Sequence, residues 1–191
     1  IDALFNAFSP EQVDGLALAI YNVDKGEGMV IGDMTGVGKG RICAGLVRYA
    51  NLQGKKAIFM TDKPKLFSEL YRDMVDIGNG ELIPFILNGR EQKTNITDAD
   101  GNIIYQALPD TQKIKFLRNQ NVDGFDYIVS TYTQIQGDSK IKKAFLEALA
   151  QDNILVLDES HKAAGKSNTS EYMMGVISRA SGVTFLSATY A

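Results

Sequence analysis

The chain has 191 residues, with 20 basic and 23 acidic side chains, so its formal net charge of -3 provides no overall positive field for nucleic acid. A hydrophobic content of 45% and a charged content of 23% are typical of a globular domain, and we expect one domain over residues 1–191. One cysteine and one histidine exclude an internal disulfide and the usual zinc sites. No apolar run reaches membrane-spanning length and no signal-peptide pattern opens the chain, so we predict a cytoplasmic protein without a membrane partner.

The first predicted element is a helix over residues 9–24, with Ser9 as N-cap and Pro10 at its first position. Gln12 lies in its first turn, where the simplest interpretation is an exposed polar residue. The apolar run at 29–31 has the length of a buried strand and is followed by a glycine-rich turn at 33–40. Apolar residues at helical spacing come next, and strand, glycine turn and helix together are the context of a phosphate-binding loop (P-loop).

The chemistry of such a loop depends on its backbone and on one lysine. Glycines let successive N–H groups turn towards an anion, the helix N-terminus adds positive potential, and Lys39 would reach the β- and γ-phosphates. The alternative is a loop that only turns the chain. Two positions depart from the usual pattern: Asp33 replaces the first glycine, and Gly40 replaces the Ser or Thr whose hydroxyl ligates magnesium. Magnesium would therefore depend on another carboxylate and on water.

The remainder of the chain alternates between strand and helix patterns. This alternation predicts an α/β fold with a mostly parallel sheet covered by helices on both faces, with ligands at the carboxyl ends of the strands. Pro84 predicts an edge or irregular strand, and residues 95–106, with an Asp-Gly turn, predict a small β-hairpin inserted into the scaffold. We predict strands at 55–61, 82–87, 125–130, 153–157 and 183–186, helices at 66–77, 111–119, 139–150 and 171–180, and a mobile loop at 162–170.

An apolar strand at 153–157 runs directly into the acidic sequence Asp158-Glu159-Ser160-His161. Asp158 would hold Mg²⁺, through water, and Glu159 would orient and deprotonate the water that attacks the γ-phosphate. Both side chains can face the nucleotide because the chain leaves pleated geometry at a strand end. Alone, the pair could be two acids in a solvated turn. Together with the glycine loop, it predicts nucleotide hydrolysis.

Three motifs carry a family resemblance. D-M-T-G-V-G-K-G, D-E-S-H and S-A-T resemble motifs I, II and III of superfamily 2 helicases and translocases. More narrowly, V-I-G-D-M-T-G-V-G-K-G-R, A-I-F-M-T and L-D-E-S-H-K-A resemble the helicase-like ATPase domain of Strawberry notch proteins and their phage and bacterial relatives, in which the Gly40-Arg41 ending is expected. The resemblance covers the chain except for residues 88–110, the presumed insertion, and implies a RecA-like P-loop NTPase lobe that uses ATP and Mg²⁺.

The resemblance also assigns residues to roles. Gln12 resembles a glutamine that reads adenine, while His161, Ser187 and Thr189 resemble residues that couple hydrolysis to the nucleic-acid side. Thr61, Lys63 and Thr131 lie where motifs Ia and Ib contact the nucleic-acid backbone. The catalytic residues are Lys39, Asp158 and Glu159, and the residues implied for the nucleotide cradle are Thr35, Gly36, Val37, Gly38, Lys39, Gly40 and Arg41.

The function implied by the resemblance is the first motor lobe of an ATP-dependent translocase or remodeller, with DNA favoured over RNA as its partner. The implied location is the cytoplasm of a bacterial or phage-infected cell, or the nucleus of a eukaryote. A second RecA-like lobe would supply an arginine finger, and we expect it outside these 191 residues, so this lobe alone should bind Mg-ATP weakly and hydrolyse it slowly. The alternatives are an ATPase that remodels protein complexes and a degenerate lobe that only binds partners.

Overall fold

The computed structural model describes residues 6–32, 38–136, 139–161 and 167–187. The strands of the central sheet are β1 Gly28–Gly32, β2 Ala57–Thr61, β3 Pro84–Ile86, β6 Tyr127–Thr131, β7 Ile154–Asp158 and β8 Gly182–Ser187. They form a six-stranded parallel sheet in the order β1-β8-β7-β2-β6-β3, which confirms the predicted parallel scaffold. β3 lies at an edge, as Pro84 predicted.

The helices cover both faces of the sheet, also as predicted. They are α1 Pro10–Asp24, α2 Lys39–Leu52, α3 Lys65–Asp76, α4 Asp110–Asn119, α5 Lys140–Ala150 and α6 Ser167–Arg179. Alternating side chains of β2 separate two cores: Phe59 packs in one core with residues of α1, α2 and α3, and Ile58 and Met60 pack in the other with residues of α4, α5 and α6. Burying each large apolar side chain contributes about 1.5–3 kcal/mol, so the sheet is held from both sides.

Local sequence fixes the start of α1. The Ser9 hydroxyl accepts a hydrogen bond from the Gln12 N–H (3.4 Å), and the Ser9 N–H donates to Gln12 Oε1 (2.9 Å), which together form a capping box. Pro10 occupies the first turn, where its missing N–H removes no helical hydrogen bond. The predicted helix start is therefore confirmed.

The predicted loop at 162–170 is wrong for its last four residues, because α6 begins at Ser167. Residues 162–166 lie outside the described part of the chain. Small polar residues in this stretch favour a loop by propensity. Tertiary packing overrides that preference: Thr169, Met173 and Val176 of α6 are buried, and the Tyr172 hydroxyl donates to the Lys143 carbonyl (2.7 Å).

The predicted hairpin is present as the antiparallel pair β4 Ile96–Thr97 and β5 Ile103–Tyr105. It packs on α3, where the Thr97 N–H donates to Ser68 Oγ (3.0 Å) and the Tyr71 and Tyr105 rings meet edge to face with centroids 5.8 Å apart. These contacts tie the segment firmly to the main scaffold. None of the helices described is long and apolar enough to cross a membrane.

Candidate functional site

The N-terminus of α2 is positioned by Gly38, whose φ of +70° is in the left-handed region that favours glycine. A Cβ at Gly38 would overlap Gln12 Nε2, which donates to the Gly38 carbonyl at 3.4 Å. Gln12 is buried, so the simple interpretation as an exposed first-turn residue is wrong. Its contact with the end of the loop is the placement expected of a nucleotide-site glutamine, and its reading of adenine stays a prediction. Thr35, Gly36 and Val37 lie outside the described residues.

The acidic pair stands at the carboxyl end of β7. Glu159 has a φ of +51°, a left-handed conformation that costs a non-glycine residue about 1–3 kcal/mol. This turn breaks the strand alternation, so Asp158 and Glu159 line one cavity of about 250 Å³. The α2 and α3 residues around the cavity include Lys39, Gly40, Cys43 and Asp73. The structure therefore brings together the lysine and the two carboxylates that the sequence separates by more than a hundred residues.

The Asp158 carboxylate is oriented by a neighbouring strand. Thr61 Oγ1 donates to Asp158 Oδ2 at 3.0 Å, and the Tyr132 hydroxyl donates to the Asp158 carbonyl at 2.9 Å. Burial raises the pKa of the Asp158 carboxyl, while the Thr61 hydrogen bond and the Lys39 charge act in the opposite direction. A bound cation would compensate this buried negative charge. Carboxylate oxygens beside an open cavity are the type of ligand that Mg²⁺ prefers.

A chain of polar side chains runs from Glu159 to the end of β8. His161 Nε2 lies 3.4 Å from Glu159 Oε2, and His161 Nδ1 lies 3.2 Å from Ser187 Oγ. The imidazole thus connects the predicted base to the last residue of β8, and the coupling role of His161 and Ser187 stays a prediction. Thr189 lies outside the described residues.

The residues predicted to contact nucleic acid have different surroundings. Thr61 is fully buried and its hydroxyl is hydrogen-bonded to Asp158, so this placement counts against a contact with the nucleic-acid backbone. Thr131 is buried too: its Oγ1 accepts from Asn88 Nδ2 (2.8 Å) and its N–H donates to Asn88 Oδ1 (3.0 Å). Lys63 is exposed at the carboxyl end of β2, and its contact with nucleic acid stays a prediction.

Arg41 was predicted as part of the nucleotide cradle, but its guanidinium is engaged elsewhere. One nitrogen donates to the Ala7 carbonyl (2.7 Å) and another to Asp76 Oδ2 (3.0 Å). These two hydrogen bonds connect α3 to the residues that precede α1. In this arrangement the side chain has a structural role, and a nucleotide contact would require it to leave both partners.

Sequence reasoning overlooked Asp73 and Tyr132. Asp73 lies on α3 and lines the cavity beside Gly40, while Tyr132 fixes the backbone of Asp158. The spacing of Glu69, Asp73 and Asp76, which places three acids along one side of α3, was an available signal. Cys43 is a buried residue of α2, as expected, and burial raises the pKa of its thiol.

Comparisons with known proteins agree with the motif resemblance. The family model for "P-loop containing NTP hydrolase pore-1" matches residues 10–186. Protein strawberry notch homolog 2 of Mus musculus is 31% identical in an alignment of length 152 that covers 74% of this chain and 9% of that protein. The predicted resemblance to Strawberry notch proteins is confirmed.

Solved structures agree on the fold. A nuclease-deletion mutant of the Type ISP restriction-modification enzyme LlaGI, solved with a DNA substrate mimic, matches with a TM-score of 0.66 and 16% identity over 95% of this chain and 17% of that one. The UvsW helicase from Bacteriophage T4 matches with a TM-score of 0.59 and 15% identity over 93% of this chain and 51% of its own. At these identities the likeness shows the fold alone. The chain spans about a tenth of the mouse relative and about half or less of these two structures.

Proposed function

The chain belongs to the P-loop containing NTP hydrolase pore-1 family and is a helicase-like RecA lobe, and on this premise we propose that it binds and hydrolyses Mg-ATP. We further propose that it serves as the first motor lobe of a superfamily 2 translocase or remodeller that acts on DNA. The observation that carries the proposal is the convergence of Lys39, Asp158 and Glu159 on one cavity at the carboxyl edge of the sheet. A phosphate ligand, a metal carboxylate and a base are the parts that ATP hydrolysis needs.

Binding of the triphosphate is assigned to the start of α2. The positive end of this helix attracts phosphate, and Lys39 adds a charge-assisted contact to the β- and γ-phosphates. Gly38 carries no Cβ, so the Gln12 side chain can pack directly against the end of the loop. Gln12 contacts Gly38, so adenine bound to the Gln12 side chain would also influence the conformation at the end of the loop.

Magnesium is assigned to Asp158. When bound, Mg²⁺ neutralises charge that develops on the phosphate oxygens. Asp158 would hold it through water, and the hydrogen bond from Thr61 fixes the carboxylate in the orientation that faces the cavity. Tyr132 restrains the same residue from its backbone side.

Glu159 is assigned as the group that orients the attacking water and accepts its proton. Its left-handed backbone holds the carboxylate towards the cavity, and His161 stands within 3.4 Å of it. Such a base typically contributes 10²–10⁴-fold in rate. Through His161 and Ser187, the state of the active site would reach the β8 end and from there the nucleic-acid side.

DNA is proposed as the track, and a second lobe as the source of an arginine finger. The support is the family membership and the likeness to the UvsW helicase and to LlaGI, the latter solved with a DNA substrate mimic. An arginine finger contributes 10³–10⁵-fold in kcat, so the lobe by itself should turn ATP over slowly. Turnover by this chain alone at the rate of a complete translocase would contradict the proposal.

The test is steady-state ATP hydrolysis by a polypeptide that joins this chain to a second lobe, measured without nucleic acid and with single-stranded DNA, double-stranded DNA or RNA. Glu159→Gln should abolish hydrolysis while ATP binding is retained, and Glu171→Gln, an exposed residue of α6, is the charge-matched control. Strong stimulation by DNA that Glu159→Gln removes would support the proposal. Hydrolysis that depends on Glu159 but ignores all three nucleic acids would favour a protein-remodelling ATPase. ATP binding without hydrolysis would favour an interaction module.

A further inference from the structure

The position after the P-loop lysine carries no side chain, yet the space beside it is filled. In the usual loop a Ser or Thr at this position supplies a hydroxyl to magnesium. In this chain the residue is Gly40, and a Cβ built on it would overlap Asp73 Oδ2 and lie 3.0 Å from Asp73 Cγ. The carboxylate of α3 therefore stands where the side chain of a Ser at position 40 would begin.

The surroundings of Asp73 leave its oxygens directed to the cavity. Asp73 is half-buried and lines the same cavity as Lys39 and Asp158. Within the described part of the chain its carboxylate accepts no hydrogen bond, and the nearby Arg41 guanidinium pairs with Asp76 instead, at 3.0 Å. The Arg41 charge compensates part of the Asp73 charge from a distance, and a cation or donor in the cavity would compensate more of it.

We propose that Asp73 replaces the missing loop hydroxyl as an oxygen ligand of the nucleotide-bound Mg²⁺, directly or through one water. This inference rests on the proposed function, since it concerns the same nucleotide site. It divides the metal site among three elements: the N-terminus of α2, the Asp158 end of β7 and Asp73 of α3. It also explains why glycine occupies position 40, because any larger residue there would collide with the substitute ligand.

A simpler role for Asp73 must be separated from this one. A carboxylate near a helix N-terminus stabilises the helix through its dipole, with or without a metal. That role predicts a loss of folding stability and the same change in ATP affinity with and without Mg²⁺. The ligand role predicts a change confined to the Mg²⁺-dependent part of ATP binding.

The experiment is a calorimetric titration of this chain with ATP, first in EDTA and then over a series of Mg²⁺ concentrations. In Asp73→Asn, the Mg²⁺ concentration that gives half of the metal-dependent gain in ATP affinity should rise about 10- to 100-fold, while ATP affinity in EDTA is unchanged or slightly tighter. Asp152→Asn removes the same charge from an exposed position before β7, at the opposite end of that strand from Asp158, and should leave the Mg²⁺ dependence unchanged. Thermal unfolding of each variant reports the stability effect separately.

A reciprocal exchange sharpens the test. Gly40→Ser alone should weaken Mg-ATP binding, because the new Cβ meets the Asp73 carboxylate. Gly40→Ser combined with Asp73→Ala removes the overlap and restores a hydroxyl, so the Mg²⁺ requirement should move back towards that of the unaltered chain. Recovery in the double variant beyond Asp73→Ala alone supports the ligand role.

The outcomes separate the two proposals. An Mg²⁺ dependence that Asp73→Asn leaves unaltered overturns the Asp73 assignment and leaves the proposed function standing. Equal weakening of ATP binding with and without Mg²⁺ assigns Asp73 to a structural role and also overturns it. No ATP binding under either condition by the unaltered chain overturns the proposed function together with this inference.

Discussion

The effect of Lys113 on the pH dependence of stability is the prediction whose magnitude the structure determines best. Its side chain is 2% exposed, and its ammonium donates to the carbonyls of Leu87 and Asn88 at the end of β3. Burial lowers the pKa of Lys113 from 10.5 to about 8, with partial relief from Asp110 at 3.9 Å and a further lowering by the Lys142 charge. The folded chain therefore releases this proton at a lower pH than the unfolded chain.

The sign of the pH dependence follows from linkage. Between pH 8 and pH 10.5 the unfolded chain binds more protons at Lys113 than the folded chain, so the free energy of unfolding rises with pH in that window. Each pKa unit corresponds to 1.36 kcal/mol, so the contribution of Lys113 between pH 7 and pH 9.5 is about 2 kcal/mol. Below pH 8 the residue is charged in both states and contributes no slope.

The assay is urea unfolding of the unaltered chain and of Lys113→Met at pH 7 and pH 9.5. Methionine has a similar length but does not titrate, and groups that titrate in both proteins cancel in the difference. The unaltered chain should gain about 2 kcal/mol more than Lys113→Met over this interval. Lys115→Met, an exposed lysine on the same helix, should keep the pH dependence of the unaltered chain. Parallel pH responses of the unaltered chain and Lys113→Met would refute the reasoning.

Two further predictions concern the nucleotide site. Lys39→Ala should weaken ATP binding by about 1.5–3 kcal/mol, because it removes a charge-assisted contact. Lys55→Ala, the control, should leave ATP binding unchanged. Equal calorimetric affinities for ATP in the two variants would contradict the assignment of Lys39 to the phosphate-binding loop. Thr61→Val removes the hydroxyl that donates to Asp158 at 3.0 Å. Because a hydrogen bond worth about 1 kcal/mol no longer orients the carboxylate, the Mg²⁺ concentration for half-maximal ATP binding should rise several-fold. An unchanged Mg²⁺ titration in Thr61→Val would show that the Asp158 carboxylate does not need this partner.

The buried network around Asn88 links Lys113 to the predicted nucleic-acid edge. The Lys113 ammonium holds the Asn88 carbonyl, and both ends of the Asn88 amide bond Thr131 at the end of β6. Asn88 lies at the start of residues 88–110, which carried no motif resemblance, but the match to the family model, over residues 10–186, includes them. A segment that looks peripheral in sequence therefore positions Thr131 at the carboxyl end of β6.

Much of the fold follows from local patterns in the sequence. The capping box at Ser9, the strand and the helix on either side of the glycine-rich sequence, and the Asp-Gly hairpin are each specified by residues a few positions apart, so they could be predicted without tertiary information. Regular alternation of apolar strands and amphipathic helices likewise allowed only a covered parallel sheet. The family motifs in the sequence then indicated a RecA-like lobe.

Tertiary structure decided what depends on residues far apart in the chain. The Thr61–Asp158 hydrogen bond joins positions 97 residues apart, and the contact between Gln12 and Gly38 spans 26. The start of α6 at Ser167 was set by burial of its inner face, which outweighs the weak helix propensity of its first residues. The same physical reason explains Asp73: a missing side chain at Gly40 is visible in sequence, but only the packing of α3 against α2 determines which carboxylate fills the space.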